Sequence, residues 1–253
     1  MITLDQIWRY PVKSMRGEEV EACAIGARGL DGDRRYAVID SQTGRVASAK
    51  HPRKWGALLD ASARTEGGHV WIDLPDGAVR APEAASRISA WIGRDVRISD
   101  TPSAGDAAEK IDAQSGEQGS FVLGQGAPPG TFFDFGPVHF ITTSSLASLG
   151  AVDARRFRPN LVLRTSAAGF PEDDWIGRTI AIGGVRLRVI VATPRCVIPT
   201  LAHGALAPEP SLLKSIARAH SREVLGQSQP CAGAYAIVTS PGEVRVGDEA
   251  AIV

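Results

Sequence analysis

The residues of this chain best suited to chemistry are Thr193-Pro194-Arg195-Cys196, which follow the strand-like run 185–192. A cysteine in this position could be a soft metal ligand, a nucleophile or a small buried hydrophobic residue. The neighbouring Arg195 favours the thiolate, which is the form that binds metals and attacks electrophiles. The tetrapeptide alone does not decide among these three roles.

Two other stretches carry groups that suit a phosphate-like anion. Residues 10–14 supply Lys13 and Ser14, and residues 156–160 supply arginines and Asn160. Arginine forks, a lysine point charge and a hydroxyl donor are the usual partners of a phosphate group. Pro159 biases the preceding Arg158 toward an extended backbone, which would help to aim its side chain. We therefore ask whether the three stretches form one site, with an anion beside Cys196.

Composition limits the classes of partner. Lys plus Arg and Asp plus Glu both total 28, so no global field attracts nucleic acid or a membrane surface. No apolar run approaches the roughly 20 residues that span a bilayer, and the N-terminus lacks a signal-peptide pattern. The three widely spaced cysteines do not suggest a disulfide framework. We expect a cytoplasmic protein with reduced thiols, and no nucleic-acid or membrane partner.

Many short strand patterns and few helical ones predict a mainly β protein with some α (α+β) rather than alternating βαβ units. Gly183-Gly184 predicts a tight hairpin. Helices are expected at 82–92 and 210–220, and a strand is expected at 45–49. The polar stretch 100–130 is expected to be a lid or the join between two subdomains.

The order of several short motifs makes the chain resemble the MOSC family. That family has a small β-barrel domain, found at the C-terminus of molybdenum cofactor sulfurases and in the mitochondrial amidoxime-reducing proteins, often preceded by a β-rich N-terminal domain. The motifs lie at residues 10–14, 32–36, 49–53, 133–134, 142–146, 157–160, 172–175, 195–196 and 244–248. They span nearly the whole chain. The resemblance implies an N-terminal β-barrel domain at 1–115 and a MOSC domain at 116–253, packed together with a cofactor cleft between them.

The resemblance also implies the site residues. Cys196 matches the single cysteine that ligates molybdenum in catalytic members, and so would be both the metal ligand and the catalytic residue. The positions that match cofactor-contacting residues are Lys13, Ser14, Arg34, Asp134, Arg158, Asn160, Pro194, Arg195 and Tyr235.

The activity implied is molybdenum-dependent reduction of N-oxygenated or N-hydroxylated compounds by the pyranopterin molybdenum cofactor. Electrons would come from a separate flavin, haem or iron–sulfur protein, and pyridoxal phosphate is not expected. The alternatives are a persulfide carrier, or a module that binds or stores the cofactor without turnover. Segment 197–203 departs from the family pattern, so substrate identity does not transfer.

The remaining reactive residues have simpler interpretations than catalysis or metal binding. Cys23 and Cys231 are expected to be structural, as are Asp33 and the pair Glu172-Asp173. The five histidines show no ligand spacing, and none is assigned to a metal. His203 lies close enough to Cys196 in sequence to line the mouth of a pocket.

Overall fold

The computed structural model describes residues 1–103, 106–112, 116–123, 128 and 131–253. Its first half consists of short strands and two short helices. The strands are β1 (Ile2–Arg9), β2 (Glu18–Val20), β3 (Ala22–Gly26), β4 (Gly29–Leu30), β5 (Ala37–Asp40), β6 (Ser62–Glu66), β7 (His69–Leu74), β8 (Gly77–Arg80), β9 (Val96–Ser99), β10 (Ala107–Ile111) and β11 (Gln118–Val122). The helices are α1 (Pro52–Trp55) and α2 (Ala85–Ile92), with 3-10 turns at Gly56–Leu59 and Ala81–Glu83.

The second half has longer strands. They are β12 (Val138–Thr142), β13 (Leu161–Thr165), β14 (Thr179–Ile182), β15 (Val185–Pro194), β16 (Ser221–Val224), β17 (Gln227–Ser240), β18 (Gly242–Arg245) and β19 (Glu249–Ile252). The helices are α3 (Thr143–Ser148) and α4 (Leu212–Ala219), with 3-10 turns at Ala154–Arg156, Pro171–Trp175 and Ile198–Thr200.

A closed barrel of seven strands is the main feature of the fold. Its strands follow the order β12-β13-β1-β19-β14-β15-β17, and β17 pairs with β12 to close the ring. Strands make up 44% of the residues and helices 18%, which confirms the expected mainly β class with some α. Closure leaves no free edge in the barrel, and its interior is filled by aliphatic and aromatic side chains such as Leu4, Phe140 and Leu187.

The first strand belongs to this barrel, although it is far in sequence from its neighbours. β1 pairs with β13 through Ile7↔Leu161 and with β19 through Ile2↔Ala250. β3 likewise pairs with β18, where Cys23 faces Val244. The two halves are therefore joined by strand pairing. The chain that leaves β1 runs directly from the barrel into residues 10–16.

The rest of the N-terminal half has its own core. The sheet β6-β7-β8 and the pair β5-β9 enclose Val38, Leu58, Ile72 and Ile88 together with α2. This second core lies against the barrel through residues 10–16, where Val12 and Met15 are fully buried. Segment 10–16 therefore lies between the two hydrophobic cores.

The local predictions were right for most elements and wrong for one. β14 and β15 turn at Gly183-Gly184 as expected, and the helix expected at 210–220 is α4. No strand forms at 45–49, where Val46 makes only isolated bridges to Ile39 and Ala108. Stretch 100–130 contains the hairpin β10–β11, and its function as a lid or as the join between subdomains stays a prediction. Residues 104–105, 113–115, 124–127 and 129–130, with the predicted boundary at 115, lie outside the described residues.

None of the helices in the described part of the chain is long and apolar enough to cross a membrane.

Candidate functional site

One cavity collects all ten residues that the sequence analysis assigned to a site. This cysteine cavity has an empty volume of ≈ 770 Å³, including space open to solvent. Its lining includes Lys13, Ser14, Arg34, Asp134, Arg158, Asn160, Pro194, Arg195, Cys196 and Tyr235. Ser48, Lys50, Phe133, Gly136, His139, Phe157 and Ile198 complete the wall.

Cys196 lies just beyond the end of β15, where that strand becomes irregular. The pairing of β15 with β17 shifts register between Val189 and Val191 and again between Ala192 and Pro194. Such bulges bend a strand and redirect the side chains that follow, and they are frequent beside active sites. Cys196 emerges half-buried against Ala49, Leu59 and Ile198.

The other two cysteines are more deeply buried. Cys23 is 6% exposed and Cys231 is 0% exposed, and burial raises the pKa of both thiols, that of Cys231 to about 11. Both pack as small hydrophobic residues, in the barrel core and beside Ala192 respectively. Cys196 is thus the cysteine placed for reaction.

Asp134 lies between two lysines on one wall of the cavity. Its carboxylate pairs with the Nζ of Lys13 and, at 2.9 Å, with the Nζ of Lys50. Burial opposes ionisation of Asp134, but the two lysines outweigh it and hold the pKa of the carboxyl well below its usual range. Burial lowers the pKa of Lys13, which also donates to the carbonyl of Phe132 at 2.9 Å. Asp134 therefore orders two cations at the cavity wall.

Ser14 is held in an unusual backbone conformation, with φ of +67°. Its hydroxyl accepts a hydrogen bond from the N–H of Ala49 at 3.1 Å, which connects segment 10–16 to segment 47–50. That second segment carries Ser48 and Lys50 into the cavity wall. A non-glycine residue in the left-handed region costs energy and persists only where its surroundings enforce it. Ser14 thus sets the position of two neighbouring stretches.

Arg34 is oriented by a buried carboxylate and an amide. Asp33 pairs with Nη1 of Arg34 and accepts the N–H of Tyr10 at 2.8 Å. Asn160 donates from Nδ2 to the same Asp33 carboxylate at 3.0 Å. Its Oδ1 accepts the N–H of His139 at 3.1 Å. The amide of Asn160 therefore acts on the cavity through Asp33, by fixing the carboxylate that orients Arg34.

Two guanidinium groups pack on the ring of Tyr10. The Cζ of Arg158 lies 4.4 Å from the ring centroid and that of Arg34 lies 4.7 Å from it. Such cation–π contacts favour a desolvated cation. Even so, burial lowers the pKa of Arg158 to about 10, and the nearby Arg34 acts in the same direction. The two arginines are thus close together, and both are largely removed from water.

The expectation that Pro159 holds Arg158 extended is wrong. Arg158 has φ of +54°, in the left-handed region. Its N–H bonds the carbonyl of Arg155 at 3.2 Å, and its own carbonyl accepts from Arg34 Nη2 at 3.5 Å. These tertiary contacts outweigh the local preference of a residue that precedes proline.

Arg195 is held by partners that define the state of His139. Its Nη2 donates to the carbonyl of Phe157 at 2.7 Å, and its Nη1 lies 3.4 Å from Nε2 of His139. The Nδ1 of His139 lies 3.4 Å from the carbonyl of Arg158. Burial, reinforced by Arg195, places the pKa of His139 well below its usual value. His139 is therefore neutral, and it connects the two arginines.

Tyr235 closes the wall beside His139. The two residues pair across β17 and β12, with ring centroids 5.4 Å apart. A Cβ on Gly136, which lies just before β12, would lie 3.0 Å from the Cβ of Tyr235, so a larger residue there would crowd the Tyr235 side chain. Burial raises the pKa of the phenol, and the nearby Asp134 adds to this effect. Tyr235 thus contributes a neutral hydroxyl.

Positive charge exceeds negative charge in this cavity. Its wall carries five cationic side chains, those of Lys13, Arg34, Lys50, Arg158 and Arg195, against the carboxylate of Asp134. Even with Asp33 behind Arg34 counted, the cavity keeps an excess of three positive charges. Among the described residues, Nε of Arg195 and the hydroxyl of Tyr10 are buried without a partner. Buried charges and unpaired donors are costly unless a bound group satisfies them, so the cavity is suited to an anion.

Lys50 and His139 were not assigned by the sequence analysis, yet both line the cavity. Lys50 lies in a motif that supported the family resemblance, and that motif was the available signal. His139 stands within the apolar strand β12, where a buried histidine gives no local sign of its function. His203 is buried away from the cavity, with Nε2 2.8 Å from the carbonyl of Ile198. In the described ranges, no three His, Cys, Asp or Glu side chains come together as a metal site.

Comparison with known proteins identifies the family of this chain. Residues 131–251 match the MOSC domain, and residues 1–109 match the MOSC N-terminal beta barrel domain. The chain is 23% identical to mitochondrial amidoxime reducing component 2 of Rattus norvegicus and 27% identical to that of Bos taurus, covering 97% of this chain and 82% of each relative. The YUAD protein of Bacillus subtilis shares 12% identity at a TM-score of 0.48, over 100% of this chain and 96% of that chain. The chain therefore belongs to the MOSC family, with a MOSC N-terminal β-barrel domain joined to a MOSC domain.

Proposed function

We propose that the cysteine cavity binds the pyranopterin molybdenum cofactor and that the protein reduces N-oxygenated compounds. The observation that carries the proposal is the half-buried thiol of Cys196 beside a cluster of cations with three positive charges in excess. A soft thiolate suits a metal that already has sulfur ligands. The relatives named as amidoxime reducing components support the choice of substrate class.

The residues present fit this cofactor. Its phosphate and dithiolene are anionic, and the cavity offers the forks of Arg34, Arg158 and Arg195 with the ammonium of Lys13. Arg195 lines the cavity, and its Nε is a buried donor without a partner among the described residues, which a bound anion could satisfy. Cys196 would ligate the metal, while Asn160 acts on the cofactor through Asp33 and Arg34.

The bound molybdenum centre would supply two-electron removal of oxygen from nitrogen. The overall reaction for a hydroxylamine, R–NHOH + 2H⁺ + 2e⁻ → R–NH₂ + H₂O, consumes two protons and two electrons and breaks the N–O bond. A separate flavin, haem or iron–sulfur protein would deliver the electrons. The arginines would hold the cofactor in one orientation, and the apolar contacts of Cys196 with Ala49 and Ile198 would limit water at the thiol. We place this activity in the cytoplasm, where thiols stay reduced.

Metal and pterin content test the proposal. Protein expressed with molybdate should contain molybdenum by mass spectrometry, and pterin fluorescence should appear after oxidation. Cys196→Ala should lose molybdenum at least tenfold, whereas Cys231→Ala, which removes a cysteine of the barrel wall, should retain it. Wild-type protein without molybdenum or pterin would contradict the reductase proposal. Full molybdenum loading of Cys196→Ala would contradict the ligand assignment.

Half-burial of Cys196 also favours a second candidate, a persulfide carrier or a cofactor-binding module without turnover. Both of these functions need a thiol that can be reached in a cavity suited to anions, and Cys196 lies in such a cavity. Turnover separates the candidates. Loaded protein reduced by a chemical donor should convert benzamidoxime to benzamidine. If the protein holds molybdenum and pterin but leaves benzamidoxime unchanged, the carrier or storage function is favoured.

A further inference from the structure

A second cavity also opens onto Cys196. This side cavity has an empty volume of ≈ 780 Å³, including open solvent. It shares four residues with the cysteine cavity, namely Lys50, Pro194, Arg195 and Cys196. The thiol of Cys196 therefore faces two separate cavities.

The walls of the two cavities differ in chemistry. Beyond the shared residues, the side cavity is formed by the start of β17, one residue of α4 and the end of β10. These residues are Gln227, Ser228, Gln229, Pro230, Leu213, Lys110, Ile111 and Asp112. Two side-chain amides, a hydroxyl and several apolar surfaces suit a small molecule with a polar end.

Arg195 lies between the two cavities and contacts residues of each. Its guanidinium is held to Phe157 and His139, which line only the cysteine cavity. Its backbone N–H bonds the carbonyl of Pro230, which lines only the side cavity, at 2.8 Å. A molecule in the side cavity can therefore approach Cys196 while an anion occupies the cysteine cavity.

The charged residues that line the side cavity give it a preference for the charge of a ligand. Lys50, Arg195 and Lys110 are cationic, and Asp112 is the acidic lining residue. Lys50 is paired with Asp134, and among the described residues Lys110 has no carboxylate within 4.0 Å. A cationic molecule approaching Cys196 meets repulsion from these side chains, whereas a neutral or anionic one does not.

We propose that the side cavity is the substrate entrance of the Cys196 site and that it admits uncharged or anionic N-oxygenated molecules in preference to cationic ones. Lys110 sets this charge preference without contacting the cofactor region. The identity of the substrate rests on the proposed function, but the route to the thiol does not.

Steady-state kinetics on loaded protein test the entrance and its charge preference. Wild type should give a higher kcat/KM for benzamidoxime and 4-carboxybenzamidoxime than for a 4-trimethylammonium analogue. Lys110→Gln should lower the ratio of kcat/KM for the anionic substrate to kcat/KM for the cationic one roughly three- to tenfold. Ser228→Trp should lower kcat/KM for all three substrates at unchanged molybdenum content. Lys214→Gln and Ser215→Trp, on exposed positions of α4 outside the cavity lining, should match wild type. Unchanged ratios in Lys110→Gln would overturn the charge preference.

Thiol labelling of cofactor-free protein gives a readout that does not depend on turnover. Methanethiosulfonates with a sulfonate or a trimethylammonium group should modify Cys196 at different rates, measured by peptide mass spectrometry. Lys110→Gln should reduce the sulfonate preference, and Ser228→Trp should slow both reagents. If wild type fails to reduce any N-hydroxylated compound but labelling behaves in this way, the proposed function fails and the entrance stands. Labelling and kcat/KM at wild-type rates in Ser228→Trp would overturn the entrance.

Discussion

The Nδ2 of Asn160 lies 3.0 Å from Oδ2 of Asp33, and that carboxylate pairs with Arg34. The asparagine thus acts on a cation of the cavity from 127 residues away in sequence. Residues 158–160 therefore contribute a buried network rather than three independent ligands.

We expect Asn160→Ala to weaken both the fold and the cofactor site. The variant would leave Asp33 with one donor fewer and the N–H of His139 without its side-chain acceptor. Loss of a buried hydrogen bond costs about 1–3 kcal/mol, so urea unfolding should show a reduced free energy and molybdenum content should fall. Asn160→Asp should be more destabilising than Asn160→Ala, because the new carboxylate would face the carboxylate of Asp33. A variant as stable as wild type with full molybdenum content would contradict this role.

We expect Asp134→Asn to make the cofactor-free protein less stable and more responsive to anions. The substitution leaves Lys13 and Lys50 without their carboxylate, and the partly exposed site should lose about 1–3 kcal/mol. Added phosphate should then raise Tm more in the variant than in wild type, as followed by calorimetry. Asp76→Asn, which removes an exposed carboxylate beside Arg87, is the matched control and should behave like wild type. A phosphate response equal to that of wild type would count against the charge argument.

Acid should destabilise the protein partly through His203. Burial lowers its pKa to about 4 from an ordinary value of 6.5, so between these values the unfolded chain binds more protons than the folded one. Stability therefore falls as pH decreases from 6.5 to 4, by at most about 3 kcal/mol for this group. His203→Gln, which can still donate to the Ile198 carbonyl, should flatten that slope in urea titrations at several pH values. The exposed His69→Gln should leave it unchanged, and equal slopes in all three proteins would disprove the assignment.

Gly233→Ala should be far more damaging than Gly226→Ala. Both glycines have positive φ, +77° and +74°, but a Cβ at 233 would lie 2.4 Å from the carbonyl oxygen of Phe140, whereas nothing lies within 4 Å at 226. The strained conformation alone should cost about 1 kcal/mol at 226. At 233 the added clash should bring the total to about 2–4 kcal/mol. The unfolding midpoints of the two variants compare these costs directly, and similar midpoints would show that the backbone at 233 can move.

The amino-acid sequence was enough to predict much of the fold and the membership of the candidate site. Turn residues such as Gly183-Gly184 and the alternating apolar runs act locally, so the hairpins and most strand positions follow from short-range physics. The resemblance to the MOSC family, carried by short motifs in order along the chain, implied ten site residues that the structure brings to one cavity. Their roles in binding stay predictions.

Tertiary structure decided the features that depend on residues distant in sequence. β1 closes a barrel formed mainly by the other half of the chain, and residues 45–49 form no strand because Val46 bridges two separate partners. Arg158 departs from the preference of a residue before proline because Arg34 and Arg155 hold its backbone. The neutral state of His139, the position of Lys50 in the cavity wall and the second opening onto Cys196 also depend on residues that are distant in sequence. The burial and the charge environment of a residue depend on all the side chains around it, and those side chains are distant from one another in the sequence.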